Sequence, residues 1–131
     1  MKKSIVFAIF TTLVSSPVAA GPFDGAYDRT VENCYRTSDS RQIISGDTYE
    51  FWEGGCHLTN PTAVRGISSA MIYDAVCSAE GEQFSYRVMF IGNAETWLGD
   101  ARVPLDLYAV RDGHVSQLVR CPVGVGTQMY R

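Results

Sequence analysis

The sequence predicts an all-β fold, a small antiparallel meander or barrel-like sheet with two disulfides. Three observations predict it. Three segments each fit one hairpin register that aligns their apolar residues. Four cysteines, Cys34, Cys56, Cys77 and Cys121, are spread across the chain. No long amphipathic helical pattern and no internal repeat compete with the strand periodicity.

Residues 1–20 read as a secretory signal peptide. Lys2 and Lys3 precede a short apolar run, Ile5 to Val14, and Val18-Ala19-Ala20 matches the small-residue pattern of a cleavage site. The run falls short of the roughly 20 apolar residues of a spanning helix. Residues 21–131 are then a single β-rich domain, large enough for one core. Both lysines lie in the leader, so its removal takes the formal charge of −3 two units further negative. An acidic chain without basic clusters argues against nucleic acid and anionic membrane, and favours a basic protein partner or a small ligand.

The domain opens with Gly25-Ala26-Tyr27, a glycine-x-aromatic start common in small β-barrels. Thr30 to Arg36 reads as a short strand through Cys34, followed by a polar loop, Thr37 to Ser40. Arg41 to Glu53 reads as a hairpin around Gly46-Asp47. It pairs Ile44 with Tyr49 and Gln42 with Phe51, and sets Arg41 over Trp52 for a cation–π contact. Gly54-Gly55 suggests a bulge or bend. Thr59-Asn60-Pro61-Thr62 reads as a turn.

The central hairpin spans Ala70 to Ile91 with Glu80-Gly81 at the turn. Its register sets Cys77 against Phe84, Ala75 against Tyr86, Tyr73 against Val88 and Met71 against Phe90, one apolar face. The opposite face pairs Asp74 with Arg87. Gly92 to Pro104 is irregular, and Ala94 to Leu98 reads as a helical turn or a loop over one barrel end. Asp112-Gly113 is the strongest turn signal, pairing Val110 with Val115, Tyr108 with Gln117 and Leu107 with Leu118 in a third hairpin from Leu105 to Cys121. The tail after Pro122 either closes the barrel or hangs free.

An even cysteine count behind an export signal implies two disulfides. The spacing lacks the close pairs of zinc sites, so neither a metal nor a cofactor is expected. The expected connectivity is Cys34–Cys56 and Cys77–Cys121. Cys34 and Cys56 lie just beyond the arms of the Gly46-Asp47 hairpin, whereas a turn at Asn60 to Gly66 sets Cys56 near Ala70 and leaves Cys77 out of reach.

No local motif for hydrolysis or phosphate binding occurs, so no catalytic residue is nominated. The candidate binding surface is Tyr49, Glu50, Trp52 and Glu53, where aromatics and acids alternate beside flexible glycines, together with Trp97. The alternative is that Tyr49 and Phe51 face the core while Glu50 and Glu53 are solvated.

The four-cysteine layout, with an aromatic-acid stretch before the second cysteine, resembles small uncharacterised exported proteins of Gram-negative bacteria. Ser45-Gly46-x-x-Tyr49 followed by Trp52 resembles part of the motif of periplasmic lysozyme inhibitors, which are small disulfide-containing β-barrels. Here Trp52 comes earlier than in that motif, and Glu53-Gly54-Gly55 replaces its basic residue. The expected function is a non-catalytic binding or accessory protein, periplasmic or secreted. An inhibitor of lysozyme or another secreted hydrolase is the alternative, and a small hydrolytic enzyme is the second.

Overall fold

The structure is a computed structural model that describes residues 9, 11, 12 and 21–129, with the side chains of 94–98 and 102–104 excepted. The expected signal peptide therefore lies almost wholly outside the described residues. From Gly21 onward the chain winds into a closed antiparallel barrel in sequential order. Its strands are β1 (Gly25–Asp28), β2 (Gln42–Ser45), β3 (Thr48–Phe51), β4 (Gly54–Val64), β5 (Ile67–Ala79), β6 (Glu82–Leu98), β7 (Ala101–Arg111) and β8 (His114–Arg120). A short 3₁₀ helix, Glu32–Tyr35, lies between β1 and β2, where the sequence suggested a strand.

The hairpin registers follow from turn chemistry and alternation. Tyr73 pairs with Val88, Asp74 with Arg87 and Cys77 with Phe84 across β5 and β6, as expected from the Glu80-Gly81 turn. Asp74 and Arg87 form the expected ion pair at 3.0 Å, and Asn60 also donates to Asp74. Ile44 faces Tyr49 across Gly46-Asp47, and Leu107 faces Leu118 across Asp112-Gly113. Along β5, the set Tyr73, Ala75 and Cys77 that turns inward is buried, while Asp74, Val76 and Ser78, which alternate with them, face out.

The barrel is filled rather than hollow. Tyr27, Val88, Phe90 and Leu107 are wholly buried, and Leu118 and Ala75 nearly so. Phe90 is the hub, with ring centroids 5.2 Å from Tyr49, 5.6 Å from Phe23 and 5.8 Å from Tyr73. The near-perpendicular Tyr49 contact suits the aromatic quadrupole. Burying a ring of this size contributes roughly 1.5–3 kcal/mol.

A second, smaller core lies outside the barrel wall. Ala26 and Ile43 point outward from β1 and β2 and are covered by Cys34, Cys121 and Val125. The tail thus folds back onto the barrel. Arg41 joins this outer core instead of stacking on Trp52. Its Nε meets Asp28, Nη1 donates to the Gly126 carbonyl and Nη2 to the carbonyls of Asn33 and Arg36. Every donor nitrogen of the guanidinium is thereby engaged, which is what a wholly buried arginine requires.

Other expectations fail as well. The disulfides are Cys34–Cys121 and Cys56–Cys77. The error lies at Asn60-Pro61, which is not a turn. Asn60 adopts a left-handed φ of 52°, and the pairing shifts register between Thr59 and Thr62. Proline is tolerated there because a bulge needs no ladder donor. β4 therefore runs on to Val64, the turn is Arg65-Gly66, and Cys56 comes directly opposite Cys77. Closure of β1 on β8 then brings the loop after β1 to Cys121. Ala94 to Leu98, expected as a helical turn or loop, continues β6 and pairs with 101–105 of β7.

Candidate functional site

The site arises from a mismatch in strand length. β1 has four residues, and β8 has seven. β1 pairs with β8 only through Tyr27 with Arg120 and Asp28 with Val119. Beyond Asp28 the chain leaves the wall for the outer core. Residues 114–118 of β8 then have β7 on one side and no strand on the other. A cleft of about 600 Å³ occupies this notch at the rim carrying the Trp52-Glu53 and Asp112-Gly113 turns.

Three groups of residues line it. Arg29, Asp39, Ser40 and Gln42 come from the flank where β1 gives way to β2. Val115, Ser116 and Gln117 come from the free edge of β8. From the barrel side come Tyr49, Phe51, Trp52 and Arg111. Ser40 is fixed by donating to Asp28, so the buried Asp28–Arg41 pair anchors this wall of the cleft. Burial opposes the charge on Asp28, but hydrogen bonds from Ser40, the Arg29 amide, Ser38 and Arg41 outweigh it and hold the carboxyl below its ordinary range.

Arg111 is the central charge of the cleft. Its guanidinium carbon lies 5.4 Å from the Phe51 ring centroid and 5.2 Å from that of Tyr86, and Nη1 donates to the Tyr86 hydroxyl at 3.1 Å. The geometry is a double cation–π contact. Among the described residues no carboxylate lies within ion-pair distance of Arg111. Tyr49 donates to Gln42 Oε1 at 2.6 Å. Burial is the main cause that drives the Tyr49 phenol pKa far upward, with Tyr86 adding and Arg111 opposing. The Tyr86 phenol is also raised by burial, against the pull of Arg111. Both phenols are therefore neutral near pH 7 and act as hydrogen-bonding groups, not bases.

The candidate surface drawn from the sequence is divided. Tyr49 and Trp52 line the cleft, although Tyr49 is 98 % buried by its 2 % exposure and presents little surface. Glu50 and Glu53 face a separate hollow of about 750 Å³ on the outside of β3, β4 and β5, with His57, Glu80 and Glu82. A hydrogen bond with Glu53, and that neighbour's charge, push the Glu80 carboxyl up. Trp97 lies in β6 paired with Arg102, beside the Gly99-Asp100 turn at the opposite rim, and its side chain is outside the described residues. It does not join the other four. His57 sits 3.5 Å from Asp47, and both are exposed.

Sequence reasoning missed Arg111. A signal was present: Leu107, Ala109 and Arg111 share one strand face, and the first two are inward, so the inward face of β7 ends in a cation. Arg29 and Ser116 carried no such signal, because the notch exists only once β1 closes on β8. Among the described residues, no cluster of three or more His, Cys, Asp or Glu side chains is arranged to hold a metal ion.

Comparison with protein-family models, with curated proteins and with solved structures finds no match to this chain.

Proposed function

We propose that the protein is an exported, non-catalytic binding module of the bacterial periplasm whose ligand enters the wall cleft beside β8. The observation that supports this most is Arg111, a half-buried cation held between two aromatic rings with no carboxylate partner among the described residues. The packed barrel leaves the rim as the place for a ligand. Two disulfides suit an oxidising compartment. Within the cleft, the Ser116 hydroxyl and the guanidinium groups of Arg29 and Arg111 supply donors for recognition. No histidine lines it.

Capture from a periplasmic extract on the immobilised protein tests the proposal. Filling the notch with Ser116→Arg should abolish capture, while Glu53→Gln in the separate hollow should leave it intact. Capture that survives Ser116→Arg overturns the cleft reading.

A second reading has its own observation. Glu50, Glu53, Glu80 and Glu82 share one hollow and suit a basic partner such as a lysozyme. Inhibition of a purified lysozyme, lost in Glu53→Lys/Glu82→Lys, would favour it. Turnover in a panel of hydrolase substrates would favour the enzymatic alternative instead.

A further inference from the structure

We infer that the cleft takes an extended peptide segment of a partner protein, which adds as a short strand to the free edge of β8 and presents an acidic side chain to Arg111. This rests on the cleft reading above and names the ligand class. The notch is the space that a longer β1 would fill. Neighbouring strands sit about 4.7–4.9 Å apart, so the omitted continuation of β1 leaves room for one strand beside β8. Residues 114–118 pair with β7 alone, and no turn, side chain or tail of the described chain hydrogen-bonds their other edge. In an antiparallel ladder alternate residues direct both their N–H and C=O to the same neighbour. Every second residue of this edge therefore offers an unpaired donor and acceptor to the cleft. Five residues of strand span about 17 Å. A bound segment of that length turns alternate side chains toward the barrel, where Phe51 offers an apolar face and Arg111 a cation.

Charge argues for an acid at one inward position. Arg29 and Arg111 both line the cleft, and neither guanidinium meets a carboxylate among the described residues. Asp39 is the one acid in the lining, so the local balance is positive on an otherwise acidic protein. Ser116 adds a hydroxyl from the strand that the peptide would pair with. A segment running antiparallel to β8, as β1 does, places its backbone on that edge and its acid over the Phe51–Arg111–Tyr86 stack.

The probe is a pool of random seven-residue peptides displayed on phage and panned on the full oxidised protein. Selected peptides should share one Asp or Glu flanked two residues away by β-branched or aromatic side chains. In a synthetic copy, N-methylation of alternate amides should weaken binding at least tenfold in one phase and less than twofold in the other. Arg111→Gln should cost at least tenfold for that peptide, and far less for its Asp→Asn or Glu→Gln version. Equal tolerance of both N-methyl phases overturns strand addition. So does a selected set without a common acid, or a dimer in sedimentation that Val115→Arg dissolves, which would assign the edge to a second copy. Failure to select any peptide, with Ser116-dependent capture retained, sinks the strand proposal and leaves the cleft reading standing. Loss of both sinks both.

Discussion

Arg41 donates from Nε to Oδ2 of Asp28 at 2.9 Å on the outer face of the barrel, and neither side chain is exposed by more than 2 %. The pair ties the end of β1 to the start of β2 where the barrel wall opens. Replacing Asp28 by Asn leaves the Arg41 charge buried without its counter-ion. We expect a loss of about 3–5 kcal/mol in urea unfolding. The pH dependence has a definite sign. The Asp28 carboxyl is held below its ordinary value of 3.8, so its contribution is complete above that value and is lost as pH falls through the lower, folded one. Acid unfolding followed by circular dichroism should be less steep in Asp28→Asn than in the wild type.

The disulfides give a prediction that needs only mass spectrometry. Tryptic digestion without reduction should join residues 30–36 to 121–131, and 42–65 to 66–87. A fragment joining 30–36 to 42–65 would overturn the arrangement. On the chain-entropy account, the bridge with a sequence separation of 87 contributes about 4–5 kcal/mol and the one with a separation of 21 about 3 kcal/mol. Denaturation of the two paired Cys→Ser variants should rank them in that order.

Arg111 can be followed through its neighbour. It lowers the phenol pKa of Tyr86, which burial raises. Arg111→Gln should therefore move the Tyr86 titration to higher pH in ultraviolet difference spectra, with a stability loss of about 1 kcal/mol from the lost cation–π contacts. An unchanged titration would place the guanidinium elsewhere.

The adjacent glycines Gly54 and Gly55 should respond differently to alanine. A Cβ at Gly54 would meet Phe51 Cε2 at 2.6 Å, Ala79 Cβ at 2.7 Å and the Ser78 carbonyl at 2.9 Å. At Gly55 the nearest atom is the Tyr49 carbonyl at 3.5 Å, an ordinary contact. Gly54→Ala should cost about 1–3 kcal/mol by overpacking, and Gly55→Ala less than about 0.5 kcal/mol. Equal thermal shifts would contradict the close approach of β4 to β3 and β5.

What the sequence made legible was local. The β5–β6 register follows from Glu80-Gly81 and two-residue alternation, because a turn fixes its own strands. Asn60-Pro61 misled because a bulge and a turn use the same residue types. Asparagine reaches left-handed φ in either, and proline forgoes a donor in either. That one misreading displaced Cys56 from Cys77 and carried the wrong connectivity with it. Arg41 was placed over Trp52 by hairpin register alone, while its true partner, Asp28, belongs to the preceding strand. The candidate surface was found in part. Tyr49 and Trp52 reach the cleft, but Glu50 alternates with Tyr49 onto the other side of the sheet, and Glu53, in the turn after β3 with a φ of 58°, goes there too. The notch depends on how far β1 runs before it leaves the wall, and a tertiary closure of that kind has no local signature.

The seam between β1 and β8 also orders events in time. Only two residue pairs close it, and they join positions more than ninety apart in the chain. Loop-closure entropy makes such a contact slow to form relative to the nested hairpins from β2 to β8. A chain made amino end first can pair β1 with β2 early but must hold the other edge of β1 open until its last strand arrives. During that interval Cys34 has no nearby partner, whereas Cys56 and Cys77 meet as soon as the β4–β5 hairpin forms. The oxidation of Cys34 with Cys121 is then the closing act of maturation, and the free edge of β8 is what remains when the ring has shut.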